Sequence, residues 1–116
     1  ANGTDGRIDA GNDIVAFSSS DMTLKENIIA IPNALDKVLS LGGYTFDWKK
    51  EREEEHGYTG SDIGVLAQEV EQVLPSAVRD NCYGNKSVRY EKLIPLLVQS
   101  IKELKSELDD LKSSNS

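Results

Sequence analysis

Cysteine and histidine are almost absent from this chain of 116 residues, which has one of each, Cys82 and His56. An intramolecular disulfide needs two cysteines, and the familiar zinc sites need more cysteine or histidine ligands than this chain has. Aromatic residues make up 6% of the chain and hydrophobic residues 38%. A single domain of this size buries a modest core, and small domains often gain stability from oligomerisation.

Positive charge is also scarce, because 13 Lys and Arg stand against 20 Asp and Glu and the net charge is −7. Nucleic acids and anionic membranes both attract basic surfaces, so we expect neither kind of partner. No apolar run approaches the roughly 20 residues of a membrane span, and the N-terminus lacks the pattern of a signal peptide. The glycines form no phosphate-binding motif, and we expect no metal and no cofactor.

The order of patterns along the chain predicts an α+β fold, a small mixed domain with short strands or hairpins and a long C-terminal helix. Residues 1–19 are rich in Gly, Asn, Asp and Ser, with a β-like run at 14–17, and we expect them to end an upstream β-rich region. The opening ANGTDG predicts that the chain is the C-terminal piece of a longer protein. Polar residues 49–62 (KKEREEEHGYTGSD) predict an exposed loop or protruding arm.

Apolar spacing and turn residues indicate the short elements between these regions. Apolar residues three or four apart predict helices that end at Gly42-Gly43 and at Pro75. Alternation predicts strands, and NCYGN predicts a hairpin turn with Gly84 and Asn85 in it. The predicted helices span residues 32–41 and 67–74, and the predicted strands span residues 44–48, 63–66, 77–79 and 87–90.

The last third of the chain contains six Ile or Leu residues at alternating spacings of three and four, here called the apolar stripe. This heptad predicts a helix over 93–112 that forms a helical bundle or coiled coil, with Glu107 and Lys112 in a cross-chain ion pair. The alternative is a single amphipathic helix that packs on its own domain. Taken alone, Ile at one core position and Leu at the other lean toward a dimer. The apolar stripe consists of Ile94, Leu97, Ile101, Leu104, Leu108 and Leu111.

Ser20 and Lys25, in the stretch SSSDMTLKENI, are the pair best suited to covalent catalysis. A neutral lysine amine can remove the proton of a serine hydroxyl, provided that burial or nearby cations lower the pKa of the lysine. Residues five apart do not face each other on a helix, but a bend could bring them together. The alternative is that Ser20 or Asp21 caps a helical turn while Lys25 is solvated.

The other polar groups favour structural roles. An acidic run usually forms a solvated face, although its carboxylates could bind a divalent ion. His56 lies in the same polar segment without a second ligand, and Cys82 has no histidine partner that would suggest catalysis. The acidic residues in question are Glu51, Glu53, Glu54, Glu55 and Asp62.

Four stretches in a fixed order carry a resemblance to a known family: IVAFSSSDMTLKENI, NALDKVLSLGGYTFDW, GVLAQEVEQVLPSAV and SVRYEKLIPLLVQSIKEL. Together they resemble the C-terminal intramolecular chaperone domain of bacteriophage tailspikes and tail fibres, a self-cleaving family of serine–lysine peptidases. Endosialidase tailspikes and the myelin regulatory factor of animals carry relatives. The resemblance extends from about Ile14 to Leu111.

This resemblance implies a homotrimer that aligns three chains while the upstream β-structured region of the same polypeptide folds. It implies that 1–19 contain the end of the fibre and the cleavage linker, and that 20–116 are the chaperone domain. That domain would act in the host cytoplasm during phage assembly, cut itself off in a single turnover and leave the mature fibre. Ser20 matches the nucleophile, Lys25 the base and Asp21 the acidic residue that follows the serine.

Two bonds beside Ser20 are candidates for the cut. Attack by Ser20 on the carbonyl of Ser19 passes through a five-membered ring and an ester, which favours cleavage of Ser19–Ser20. Attack by Ser20 on its own carbonyl would need a strained four-membered ring. A serine from a neighbouring chain, or a water activated by the pair, could instead cut Ser20–Asp21.

Two alternative functions fit the same patterns. One is a coiled-coil trimerisation cap that is never cleaved, in which SSSDMTLK is a linker. The other is the equivalent self-cleaving clamp of a membrane-tethered transcription factor. The sequence upstream of Ala1 would discriminate between them.

Overall fold

A computed structural model describes residues 20–114, which fall into two compact units divided between Ala30 and Ile31. In the first unit, Asp21 begins a short 3₁₀ turn over Met22–Leu24, and every described residue of this unit is exposed. The β-like run predicted at 14–17 lies outside the described residues. The division between fibre and chaperone after residue 19 stays a prediction.

The described part of the second unit contains four α-helices and four β-strands, which confirms the predicted α+β class. Within residues 20–114, no helix is long and apolar enough to cross a membrane. Short 3₁₀ turns at Lys50–Arg52, Pro75–Ala77 and Tyr90–Lys92 lie between the regular elements. In chain order these are α1 (Ala34–Leu39), β1 (Tyr44–Asp47), α2 (Glu53–His56), β2 (Ser61–Gly64), α3 (Ala67–Val73), β3 (Val78–Asp80), β4 (Lys86–Val88) and α4 (Leu93–Ser114).

The strands form two separate antiparallel pairs, β1 with β2 and β3 with β4. Tyr44 lies opposite Gly64 in the first pair, and Val78 lies opposite Val88 in the second. The turn of the second pair has Gly84 at φ 79°, in the left-handed region where glycine carries no steric cost. The predicted hairpin is therefore confirmed, with slightly different strand ends.

The strand predicted over 63–66 is displaced toward the N-terminus, since β2 ends at Gly64. The N–H of Val65 donates to the hydroxyl of Tyr90 at 3.1 Å instead of pairing with a strand. Leu66 is already the N-cap residue of α3. The predicted strand is therefore present only in part, because the apolar run does not show where the strand gives way to the helix.

The polar segment 49–62 is mostly exposed, as predicted, and it also contains local helical structure. A ring nitrogen of His56 lies 2.9 Å from the carbonyl oxygen of Lys49, so the histidine bridges the segment internally. The side-chain amide of Asn85 donates to Glu55 at 2.7 Å and ties the segment to the turn between β3 and β4. Its polarity predicts the exposure but not these contacts.

The core of the second unit is small and depends on the packing of α4 against its neighbours. One face of α4 buries Leu93, Leu96 and Ser100, and Leu96 is fully enclosed. Ala34 on α1 and Val70 on α3 are also fully buried. A modest core of this kind is what the low hydrophobic content predicts.

Candidate serine–lysine site and coiled-coil surface

The side chains of Ser20 and Lys25 meet in the first unit. The Nζ atom of Lys25 lies 2.9 Å from the Oγ atom of Ser20, which is hydrogen-bond distance. The 3₁₀ turn Met22–Leu24 reverses the chain, and Lys25 then leaves it in an extended conformation, at φ −123° and ψ 152°. This turn allows contact between residues five apart, which a continuous helix would not.

Asp21 caps the turn that brings the pair together. Its Oδ1 atom accepts hydrogen bonds from the backbone N–H of Thr23 at 2.9 Å and from the Thr23 hydroxyl at 2.8 Å. These bonds lower the pKa of Asp21 below its ordinary value, because they favour the charged carboxylate. The capping role considered for Asp21 is therefore observed together with the contact between Ser20 and Lys25.

In this contact Lys25 Nζ donates to Ser20 Oγ, at a distance over which a neutral lysine could also accept the serine proton. A neutral amine at 2.9 Å from a hydroxyl can accept its proton as the oxygen attacks a carbonyl carbon. Such a lysine base needs burial or nearby cations, and both Ser20 and Lys25 are exposed in the described chain. The bond Ser20–Asp21 is within the described residues, whereas Ser19, on the other side of the favoured cut, is outside them.

The second feature is the apolar stripe of α4. Its six side chains are all exposed, from 44% for Leu108 to 65% for Ile101, in a helix that spans Leu93–Ser114. The helix predicted over 93–112 is therefore present. Each of the first three residues of the stripe directly follows a residue of the face that packs on the domain. The helix does pack on its own domain, as the alternative predicts, but through these other residues.

Glu103, on α4, has a structural role that no sequence pattern indicates. Its carboxylate accepts hydrogen bonds from the N–H groups of Ala34 at 3.0 Å and Leu35 at 2.9 Å. The N-cap residue of α1, Asn33, makes no side-chain capping bond. A carboxylate 68 residues away thus caps the first turn of α1 and orients it on α4.

Glu69, in the AQEVE block, has a comparable role at the start of β1. It accepts hydrogen bonds from the N–H of Gly42 at 3.0 Å and from the hydroxyl of Tyr44 at 2.7 Å. The bond to Glu69 raises the pKa of Tyr44. A Cβ atom at Gly42 would overlap the hydroxyl end of the Tyr44 ring, so a larger residue there would displace Tyr44 from Glu69.

The remaining predicted groups do not assemble into a site in the described part of the chain. No cluster of three or more His, Cys, Asp or Glu there could hold a metal ion. Glu55 pairs with Arg52, and Asp62 accepts a hydrogen bond from the Trp48 indole at 3.2 Å. Cys82 is exposed. The cross-chain pair of Glu107 and Lys112 stays a prediction.

Comparison with known proteins places these features in a wider context. The sequence profile of a family described as "Chaperone of endosialidase", whose name classes it among peptidases, matches residues 20–79. The matched region is more than half of the 116 residues and includes both Ser20 and Lys25.

Phage proteins are similar over most of the chain. A long tail fiber protein Gp37 from Enterobacteria phage K3 is 39% identical over an alignment of 106 residues, and the match covers 84% of this chain and 8% of that protein. The protein of the same name from Enterobacteria phage T2 is also 39% identical, over 84% of this chain and 7% of its own length. The one from Escherichia phage AR1 is 32% identical over an alignment of 90 residues, and the match covers 75% of this chain and 8% of that protein. The chain therefore spans less than a tenth of these relatives.

Proposed function

Since this chain belongs to the Chaperone of endosialidase family, we propose that it is the assembly chaperone of a phage tail fibre. Three copies would associate and align the upstream β-structured regions of their own polypeptides. Its similarity to long tail fiber proteins supports the fibre as the client. The structural observation that carries the proposal is the apolar stripe, which is exposed along α4.

The chemistry of the apolar stripe supports association between copies of the chain. Full burial of a Leu or Ile side chain contributes about 1.5–3 kcal/mol, and these six are already about half buried. Association would therefore gain on the order of 5 kcal/mol per chain from the stripe. That gain is comparable with the cost of bringing chains together, so we expect an assembly that dissociates on dilution.

Alignment of three chains is useful because the register of a triple-stranded β-structure is a non-local property. Such contacts form slowly, since the chains lose entropy before the contacts stabilise them. A C-terminal trimer raises the effective concentration of the three upstream regions. Once these regions have folded, removal of the C-terminal trimer would leave the fibre kinetically stable, because an unfolded fibre would have to align its three chains again without help.

Light scattering tests the association on matched variants of α4. Leu104→Asp places a charge in the apolar stripe, whereas Ser106→Asp places the same charge at an exposed position of the same helix outside the stripe. We expect a trimer for the wild-type chain and for Ser106→Asp, and a monomer for Leu104→Asp. A wild-type monomer at high micromolar concentration, or equal masses for the two variants, would contradict the trimer.

The second part of the proposal is self-cleavage by Ser20 and Lys25. The Oγ atom of Ser20 attacks the carbonyl carbon of Ser19 while its proton passes to the Lys25 amine. The tetrahedral intermediate expels the Ser20 nitrogen, which takes a proton back from Lys25 and leaves an ester on Oγ. Water then hydrolyses the ester, which gives a new carboxylate at Ser19 and a free amine at Ser20. The 2.9 Å contact supports this pairing.

Several features of the cleavage step are open to direct test. A cut at Ser20–Asp21, by a neighbouring chain's serine or an activated water, would give a different terminus from a cut at Ser19–Ser20. Cleavage also needs Lys25 in a drier environment than the one described, and we expect the folded upstream region or neighbouring chains to supply it.

Two alternative functions are a trimerisation cap that is never cleaved and the self-cleaving domain of a membrane-tethered transcription factor.

The decisive experiment expresses the chain behind its natural upstream region and follows cleavage on a denaturing gel. We expect the wild type to be cut, Ser20→Ala and Lys25→Met to stay whole, and the control Lys102→Met to be cut like the wild type. Mass spectrometry of the released fragment identifies the bond. An uncut wild-type chain would leave the chaperone without its peptidase activity, and cutting in Ser20→Ala would remove the nucleophile assigned here.

A further inference from the structure

We propose that Asp21 and Thr23 form a clamp that positions Ser20 and Lys25 for each other, so that both are positioning residues for the cleavage. This inference rests on the self-cleavage proposed above. Asp21 is then an orienting group and not a second base, and Thr23, which no motif singles out, determines how often the pair is in contact.

The geometry of the turn supports this role. Both hydrogen bonds of the clamp converge on Oδ1 of Asp21, from the backbone N–H of Thr23 and from its hydroxyl. The backbone adds two bonds of 3.1 Å, from the N–H of Leu24 to the carbonyl of Asp21 and from the N–H of Lys25 to the carbonyl of Met22. Ser20 and Lys25 flank this turn on either side, so its opening separates them.

Packing contributes little to the same turn. Met22 and Leu24, its two large apolar residues, are 72% and 71% exposed. All described residues from Ser20 to Ala30 are exposed as well. Since none of the described side chains from Ser20 to Ala30 is buried, hydrogen bonds within this stretch fix the geometry of the turn, and those to Asp21 are their side-chain part.

The hydroxyl group of Thr23 is therefore the group to test by substitution. Thr23→Val replaces the hydroxyl by a methyl group of nearly the same size, while Thr23→Ser keeps the hydroxyl and loses the methyl group. Asp21→Ala removes the acceptor of both bonds. One hydrogen bond of this kind shifts an equilibrium by about twofold to tenfold, which sets the size of the expected change.

The experiment measures the first-order rate constant of cleavage in the chain with its upstream region, made by cell-free synthesis and sampled over time. We expect Thr23→Val to be about threefold to tenfold slower than the wild type, Thr23→Ser to be close to wild type, and Asp21→Ala to be slowest. The pH at which the rate is half-maximal should not change in Thr23→Val or Thr23→Ser, because neither change removes a charge and the proton acceptor is still Lys25. Light scattering on each variant verifies that the trimer is intact.

The possible outcomes separate this inference from the proposed function. Equal rates for Thr23→Val, Thr23→Ser and the wild type would contradict the positioning role of Asp21 and Thr23. The cleavage mechanism by Ser20 and Lys25 would be unaffected by that result. A shifted pH midpoint in Thr23→Val would overturn the positioning role, because this uncharged change should alter only how often the pair is in contact and not the proton transfer itself. A wild-type chain that is never cut would overturn both.

Discussion

The two faces of α4 are offset by one residue along the helix, and they differ in burial. One face, at Leu93, Leu96 and Ser100, is buried within the domain. Leu97 and Ile101 follow directly after Leu96 and Ser100 in the chain, and they are 46% and 65% exposed. Both sets have the spacing of three and four that is typical of a helix face in contact with another element.

The comparison shows that heptad spacing identifies a helix that packs, without showing on what it packs. α4 uses one face for its own core, and the other face is exposed in the described chain. In the proposed trimer the first face would determine the stability of each chain, and the second would determine the stability of the assembly. The predictions below test that separation.

The largest expected effect comes from truncation of the two faces at neighbouring residues. Leu96→Ala leaves a cavity at a fully buried position and should lower the free energy of unfolding by about 2–5 kcal/mol. Leu97→Ala, at a position 46% exposed, should cost less than about 1 kcal/mol in a monomer. Urea denaturation of both changes in the Leu104→Asp background measures them without association.

The same pair in the otherwise wild-type chain gives the converse result. There, Leu97→Ala should weaken the trimer, so that its denaturation midpoint falls further on dilution than that of the wild type. Leu96→Ala should lower the midpoint at every concentration. Equal costs for the two changes in the monomer would show that the faces are not separate in function.

A smaller effect is expected from the polar residue that extends the buried face. Glu103→Ala removes the acceptor for the N–H groups of Ala34 and Leu35, and the loss of such a helix cap typically costs about 0.5–2 kcal/mol. Glu107→Ala, one turn further along α4, is the matched control and should cost little in the Leu104→Asp monomer. Denaturation curves measure both, and a cost as large for Glu107 as for Glu103 would contradict the capping role.

Much of the fold could be predicted because local patterns determine it. The alternation in YTFDW, the apolar spacing in AQEVE and the Ile–Leu repeat each encode one element directly, so β1, α3 and α4 lie close to the predicted ranges. The segment 49–62 could be predicted only as exposed. A hydrogen bond from Asn85 to Glu55, 30 residues apart, joins its helical turn to the second hairpin, and no local pattern reveals such a contact.

The candidate site likewise contains residues that a sequence pattern indicates and residues that none indicates. The pair Ser20 and Lys25 was visible in the sequence, and a bend between them was the condition for their contact. The Thr23 side chain that completes the bend was not visible, because a single hydroxyl carries no pattern of its own. Glu103 was hidden for a similar reason, since its partners on α1 lie 68 and 69 residues away.

The smallest predicted effect concerns Glu55, which lies in the polar segment 49–62 and outside α4. Hydrogen bonds from Arg52 and from Asn85 lower the pKa of this carboxyl to about 2. A carboxyl with a lowered pKa contributes stability above its ordinary pKa of 4.5, and this contribution is lost as the pH falls toward about 2. The stability difference between the wild type and Glu55→Gln should therefore shrink from about pH 5 to about pH 2. Glu54→Gln, in the same helix α2, is the control, and an equally pH-dependent difference there would mean that the acidic segment acts through its net charge and not through the contacts of Glu55.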